Sequence, residues 1–360
     1  MELSMTFLKN AWYVAAYDQE LDDGPLGRTI LGEQVVLFKD EEGEPAAVVD
    51  RCPHRFAALS QGRLVNGQKQ CGYHGLTFDR TGKCTRIPSQ KAIPSAANIK
   101  SFPVTSRYGL TWIWMGDAEK ADPSLILPEL SVHSDPDWYT GQGYLHVKAN
   151  YKLYMDNLLD LSHLEFVHAS TIGNYGEMEA EMSTKIEDDS VRVIRAVLNQ
   201  SPVPIWKYKM GDAYKEGDKV DFYLDIVWKA PAMLLLSVDT TRPGGDRTKE
   251  WRTWGSHLLT PETDTTSHYF YLLAWNFRQQ DAELAKLIMD GNLTAFLEDK
   301  VIIEHQQEVI GEREFMDMKP VLFKQDTGPA AARQILEKKI KAEQEEAGKA
   351  SSQPRASLVA

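Results

Sequence analysis

The 360-residue sequence predicts an α+β protein in two parts. An N-terminal, mostly antiparallel β-domain comes first, then a larger domain with an antiparallel sheet flanked by helices. Three observations carry this prediction. Between Trp12 and Asp117, short apolar runs such as "QVVLF", "AAVVD" and "LTWIWMG" are separated by Gly, Pro, Asp and Asn. Further along, "VRVIRAVL", "VDFYLDIVW", "AMLLLSV", "SHLLTP" and "SHYFYLLAW" supply strand candidates for a second sheet. Beside them lie two long stretches, Asn150 to Ser170 and Asp281 to Ile310, whose apolar residues recur at helical spacing.

Taken in order, the elements divide the chain near residue 120. The Pro- and Asp-rich stretches "ADPSLILPEL" and "HSDPDWYTG" read as a linker. The first domain is then 1–120 and the second 121–346. The helix predicted over Asn150–Ser170 has no internal Gly or Pro, and a polar loop containing Gly and Met follows it. The later helix carries a potential weak spot at Asp290-Gly291. Residues 329–346 predict a charged terminal helix, and 347–360 a disordered tail. No internal repeat is visible.

Composition narrows the setting. A chain with 42% apolar and 26% charged residues is globular. No apolar run approaches the roughly 20 residues that span a bilayer. The N-terminus lacks the basic region, apolar core and cleavage site of an export signal. Three cysteines cannot build a disulfide framework, so a reducing cytoplasm is the expected location. A net charge of −12 argues against nucleic-acid or anionic-membrane partners.

Chemistry concentrates first in "RCPHRFAALSQGRLVNGQKQCGYHG", Arg51 to Gly75. Cys52 and His54 form one arm, Cys71 and His74 the other. Zinc fingers usually pair the cysteines in one arm and the histidines in the other. A redox disulfide would have no need of the histidines. One cysteine and one histidine per arm suits a binuclear cluster with two thiolates on one iron and two imidazoles on the other, the Rieske type. Cys84, on the following turn, reads as a buried structural thiol.

A second constellation lies in "DNLLDLSHLEFVH", where His163 and His168 follow Asp156, Asn157 and Asp160. Histidines five apart on an ideal helix are separated by about 140° and do not converge. The helix must bulge or end before His168 for both to reach one metal. Two histidines and a carboxylate form the facial triad that leaves ferrous iron open positions for dioxygen. The alternative is a helix with a polar face and two satisfied histidines.

The order of these motifs resembles the Rieske non-haem iron oxygenases over almost the whole chain. "NAWYVAA", "PLGRTIL", "CPHRFAALS", "CGYHGLTFD" and "NYKLYMDNLLDLSHLEFVHAS" carry the likeness. Within the family it is nearest the aromatic-acid O-demethylases, including the vanillate and dicamba enzymes. The resemblance implies a terminal oxygenase component with one [2Fe-2S] cluster and one Fe(2+) per subunit. It matches Asp299 in "FLEDKVIIEHQQ" to the third iron ligand, with Glu298 and Glu304 as competitors. It implies a head-to-tail homotrimer in which Asp160 bridges His74 of one chain and His163 of the next. Asn157 would sit near the iron without being a firm ligand. Electrons would come from a separate reductase or ferredoxin, since no nucleotide-binding Gly-x-Gly-x-x-Gly is present.

The implied substrate is a small methoxylated aromatic acid, demethylated to a phenol and formaldehyde. Hydroxylation of a methyl group, or N-demethylation, is the alternative within the family, and a pure electron carrier the alternative outside it. His257 matches a substrate-contacting histidine of the dicamba enzyme, and Lys229 lies near another polar contact; each is otherwise a surface or strand-end residue. Asp290 stands where that enzyme has a tryptophan, and would repel a substrate carboxylate if it pointed inward. Trp206, Tyr208 and Met210 either line a pocket or cover core.

Overall fold

The computed structural model describes residues 7–169, 180–202 and 204–352. Three small antiparallel sheets build the N-terminal part. Leu26–Ile30, Glu33–Lys39, Pro45–Val49 and Ser101–Phe102 form one, and Arg63–Val65, Gln68–Gln70, Thr77–Phe78 and Cys84–Arg86 a second. In the third, Leu110–Trp114 lies between Trp12–Tyr17 and Val104–Arg107. Every residue of Trp12–Tyr17 and Leu110–Trp114 is buried, because these strands are covered on both faces. One face joins the main core through Tyr13, Ala15 and Ile113. On the other, Trp12, Trp112 and Trp114 pack with Leu235, Leu258 and Phe270 of the larger sheet.

That larger sheet has seven antiparallel strands, in the order Tyr139–Val147, Ser267–Trp275, Trp251–Pro261, Met233–Thr241, Val220–Lys229, Ser190–Gln200, Glu181–Ile186. From Glu181 onward it is a meander in which successive strands are neighbours. Tyr139–Val147 closes onto the last strand. The helices Tyr151–Leu159, Ala282–Ile310 and Thr327–Ser352 pack against one another and the sheet. A clamp ties the first to the last: Arg333 Nε donates to both carboxylate oxygens of Asp156, at 3.0 and 2.8 Å. None of the described helices is long and apolar enough to cross a membrane.

Several elements differ from expectation, each for a local reason. The predicted linker ends in strand Tyr139–Val147, whose two glycines make room for the neighbours. A Cβ at Gly143 would lie 2.1 Å from the Tyr271 hydroxyl, and one at Gly141 would lie 2.4 Å from the Met289 sulfur. "PIWKYKM" forms a short helix, Pro204–Met210. Asp290-Gly291 does not interrupt Ala282–Ile310: Thr294 Oγ1 donates to the Asp290 carbonyl at 2.8 Å, and the cost of one glycine, about 1 kcal/mol, is absorbed. The C-terminal helix extends to Ser352, beyond the start of the predicted tail. The rest of that tail, from 353, and most of the polar loop after Ser170 lie outside the described residues.

The helix predicted over Asn150–Ser170 stops at Leu159. Asp160 caps it, and its Oδ1 accepts from the Ser162 amide at 2.9 Å and the Ser162 hydroxyl at 2.6 Å. This local turn competes with helix continuation. Arg195 from the sheet secures it by donating to the Leu161 carbonyl at 3.0 Å. A separate short helix, Leu164–Val167, follows.

Candidate metal centres and active-site cavity

Two loops carry the first centre: one runs from Pro45–Val49 of the first small sheet to Arg63–Val65 of the second, and the other joins Gln68–Gln70 to Thr77–Phe78 within the second. In each, a cysteine opens a closed turn with the same pair of backbone bonds. Cys52 N–H donates to Ala57 O at 2.9 Å and Phe56 N–H to Cys52 O at 2.9 Å. Cys71 N–H donates to Leu76 O at 2.8 Å and Gly75 N–H to Cys71 O at 3.1 Å. The fifth residue of each turn, Phe56 or Gly75, has positive φ. The loops touch at Gly62, where a Cβ would fall 2.0 Å from the Gln70 carbonyl.

The four side chains then separate by chemistry. Both thiols are buried and disulfide-free, while His54 and His74 are exposed with ring centroids 4.6 Å apart. Burial pushes the Cys52 thiol up to about 11, and the adjacent Cys71 thiol adds to the shift. Two inward thiols and two outward imidazoles fit a binuclear cluster whose histidine-ligated iron faces solvent. Cys84 is buried and free. Lys69, fully buried on the strand entering Cys71, was not anticipated.

At the second centre, ligand atoms of His163, His168 and Asp299 all lie within 4.8 Å of one another. His163 and His168 flank the short helix Leu164–Val167 as its two caps, and His168 has left helical backbone (φ −107°, ψ 23°), so the two imidazoles converge with centroids 5.1 Å apart. His163 Nδ1 bonds the Asp160 carbonyl, and His168 Nδ1 bonds Glu298 Oε2 at 2.7 Å. Both acceptors favour the proton on Nδ1, which leaves the Nε2 lone pair to serve as the ligand atom. The two Nε2 atoms sit 3.5 and 3.2 Å from Asp299 Oδ1. Burial disfavours a proton on His168, yet Asp299 and Glu298 hold its pKa above the ordinary histidine value. The site therefore favours positive charge, and the donor set fits ferrous iron.

The surrounding acids take distinct places. Asp299 is buried and accepts from Asn157 Nδ2 at 2.9 Å. Glu298 orients His168, while Glu304 is engaged with the Lys148 amide at 2.7 Å and Lys300 at 2.9 Å. Asp160 lies at the mouth of a separate groove that also reaches His163 and Val321.

A cavity of about 290 Å³ opens from the His163–His168–Asp299 group, near the lower end of ligand-pocket sizes. Strand alternation turns Thr253, Gly255 and His257 toward it, and helix spacing adds Trp206 and Lys209. His257 is buried; its Nδ1 lies 2.6 Å from the Tyr269 hydroxyl, and its Nε2 has no partner among the described residues. Burial pulls its pKa down to about 4, against the opposing pull of the Asp299 charge. Burial also raises the Tyr269 hydroxyl pKa well above its ordinary value, so it stays protonated beside Nδ1. In the tautomer in which Tyr269 donates to Nδ1, neutral His257 presents Nε2–H to the cavity.

Lys229 corrects an expectation. It sits at a strand end, 3.2 Å from Glu129, and is not on the cavity wall, because its strand turns Leu224 and Ile226 inward instead. Asp290 points outward and pairs with Lys286. Of the three residues of Pro204–Met210 singled out in the sequence, Trp206 lines the cavity, Met210 is buried elsewhere and Tyr208 is exposed. Lys209, which sequence reasoning passed over, is on the wall.

Residues 11–103 match the Rieske [2Fe-2S] domain, and residues 147–342 match the vanillate O-demethylase oxygenase C-terminal domain. The chain belongs to the Rieske oxygenases. It is 38% identical to the vanillate O-demethylase oxygenase subunit of Pseudomonas sp. (strain HR199 / DSM 7063), over 95% of this chain and 97% of that one. It is also 38% identical to a putative toluene-4-sulfonate monooxygenase iron-sulfur subunit of Comamonas testosteroni, over 93% and 98%. The crystal structure of dicamba monooxygenase bound to 3,6-dichlorosalicylic acid superposes with a TM-score of 0.85 at 34% identity, over 94% of this chain and 99% of that one. The same enzyme with non-haem iron and dicamba gives 0.79. This Rieske oxygenase is thus the oxygenase component of a multicomponent system, supplied with electrons by a separate protein. Its cofactors are a [2Fe-2S] cluster and a mononuclear iron.

Proposed function

We propose that this Rieske oxygenase O-demethylates a small methoxylated aromatic acid. The observation that carries the reading is one small cavity whose wall holds both the two-histidine, one-carboxylate group and a ring of hydrogen-bond donors. The relatives named for vanillate, dicamba and toluene-4-sulfonate, all aromatic acids, support the substrate class.

In this reading Cys52, Cys71, His54 and His74 hold the cluster, and His163, His168 and Asp299 hold the iron. Bound iron supplies dioxygen activation. The residues of this chain do the rest. Asn157 and Glu298 fix the orientations of Asp299 and His168, and the apolar wall of Leu158, Leu224, Ile226 and Phe296 excludes water. His257 donates its Nε2 proton to a substrate oxygen. The overall reaction consumes dioxygen, two electrons and two protons. It converts the methoxy group to a phenol, with formaldehyde and water released.

The two halves of the chain serve as a cluster unit up to about residue 120 and a catalytic unit from 121 to about 346, a division supported by the spans of the two family matches. The assembly is a head-to-tail homotrimer, with Asp160 linking the cluster of one copy to the iron of the next. Two apolar surfaces support it. Phe56 (71% exposed) and Tyr73 (64%) flank the cluster histidines, and Phe166 (83%) and Val321 (78%) stand near the His163 side.

The test is an oxygen-uptake screen of methoxybenzoates with a surrogate reductase, scored for formaldehyde. Formaldehyde stoichiometric with oxygen supports the reading. Toluene-sulfonate and toluate analogues belong in the same screen, given the toluene-4-sulfonate relative. A benzylic alcohol from those, with no formaldehyde from any methoxy compound, would replace demethylation with methyl hydroxylation.

A further inference from the structure

We propose that Lys209 is the anion-recognition residue of the cavity, binding the carboxylate or sulfonate of the aromatic substrate. This rests on the reading above that the cavity takes an aromatic acid.

Lys209 is 8% exposed and lines the cavity, yet no hydrogen bond or ion pair engages its ammonium among the described residues. Its company is aromatic: Nζ lies 4.3 Å from the Trp206 ring centroid, a cation–π contact. The two residues are three apart on Pro204–Met210, so they share one helix face. An ammonium at the wall of a largely buried cavity without a counter-charge is poorly hydrated, and a cation–π contact offsets only part of that cost. Burial accordingly pulls the Lys209 pKa down to about 8. The missing partner is an anion.

The rest of the wall agrees. Trp206 Nε1, Thr253 Oγ1 and His257 Nε2 are buried and lack partners among the described residues, and all three residues line the same cavity. With Lys209 they make four groups able to donate, and among the described residues the one carboxylate on the wall, Asp299, belongs to the metal group. A donor-rich apolar cavity suits a flat ligand bearing oxygen acceptors and a negative charge. Asp290, the acid that would have opposed such a ligand, is paired with Lys286 on the outer face of its helix. The anion on Lys209 and the metal group both bound this small cavity, so holding one end of a substituted ring presents the other to the iron.

The experiment is isothermal calorimetry on iron-loaded holoenzyme with benzoate, benzenesulfonate and neutral benzamide. Wild type is expected to bind the two anions at least about 10-fold more tightly than benzamide, the worth of a charge-assisted hydrogen bond. Lys209→Met should lose about 10- to 100-fold for the anions and leave benzamide within about 2-fold, whereas Lys209→Arg keeps the preference. Lys209→Gln is the second neutral variant, and the cluster's visible spectrum reports that each protein is folded. No anion preference in wild type, or a preference that survives in Lys209→Met and Lys209→Gln, overturns the proposal. The demethylase reading fails separately: benzoate bound through Lys209 with no formaldehyde from any methoxybenzoate would sink that reading alone.

Discussion

His163 and His168 are ordinary residues until their Nδ1 atoms are satisfied. The Asp160 carbonyl and the Glu298 carboxylate then fix both rings with Nε2 toward Asp299. Such supporting groups tune metal affinity by about 10- to 100-fold. Glu298→Gln is therefore expected to weaken iron binding by that order while leaving the cluster intact. Asp299→Ala should abolish mononuclear iron, so that iron analysis falls from about three per chain to about two with the cluster spectrum unchanged. Retention of the third iron in Asp299→Ala would remove Asp299 from the ligand set.

Among elements, the contact between the cluster half and the seven-stranded sheet holds a satisfied neutral histidine. His268, in Ser267–Trp275, donates from Nε2 to the Thr29 carbonyl at 2.9 Å and accepts at Nδ1 from the Tyr144 hydroxyl at 2.8 Å. Burial lowers its pKa to about 4; the nearby Arg28 and His146 charges lower it further, while the Thr29 bond and Glu262 oppose the shift. Because the folded pKa lies below the ordinary 6.5, the unfolded chain takes up the proton first. Stability from this group is full above pH 6.5 and is lost as pH falls toward 4, by on the order of 1–2 kcal/mol at pH 5. Denaturant titrations of wild type and His268→Gln across this range check it. The variant should show a shallower loss, and an identical slope would rule His268 out.

For the whole molecule, the proposed head-to-tail arrangement predicts complementation between inactive chains. His74→Ala lacks a working cluster but keeps its iron site, and Asp299→Ala does the reverse. Mixed after dissociation and reassembly, they should recover about a quarter of wild-type turnover, since about one junction in four joins two intact centres. Recovery indistinguishable from zero, with mixed trimers demonstrated by mass, would place electron transfer within one chain.

The cluster motif was fully legible because its four residues lie in two short loops, where local spacing decides geometry. The later strands and the long helix Ala282–Ile310 were legible for the same reason, being runs whose periodicity reports their burial. The break at Asp160 was not, because an Asx turn and the Arg195 brace compete with a pattern that locally favours helix. Likewise Tyr139–Val147 looks like linker until its glycines meet Tyr271 and Met289.

Residue order along the chain carries the chemistry on offer: which side chains can bind iron, and that a cysteine–histidine cluster precedes a two-histidine site. Packing settles which carboxylate faces those histidines, and that Lys209 rather than Lys229 lines the cavity. Direction is the reason. A residue's identity is local, but where its side chain points depends on strand register and helix phase, and on what the rest of the chain packs against it.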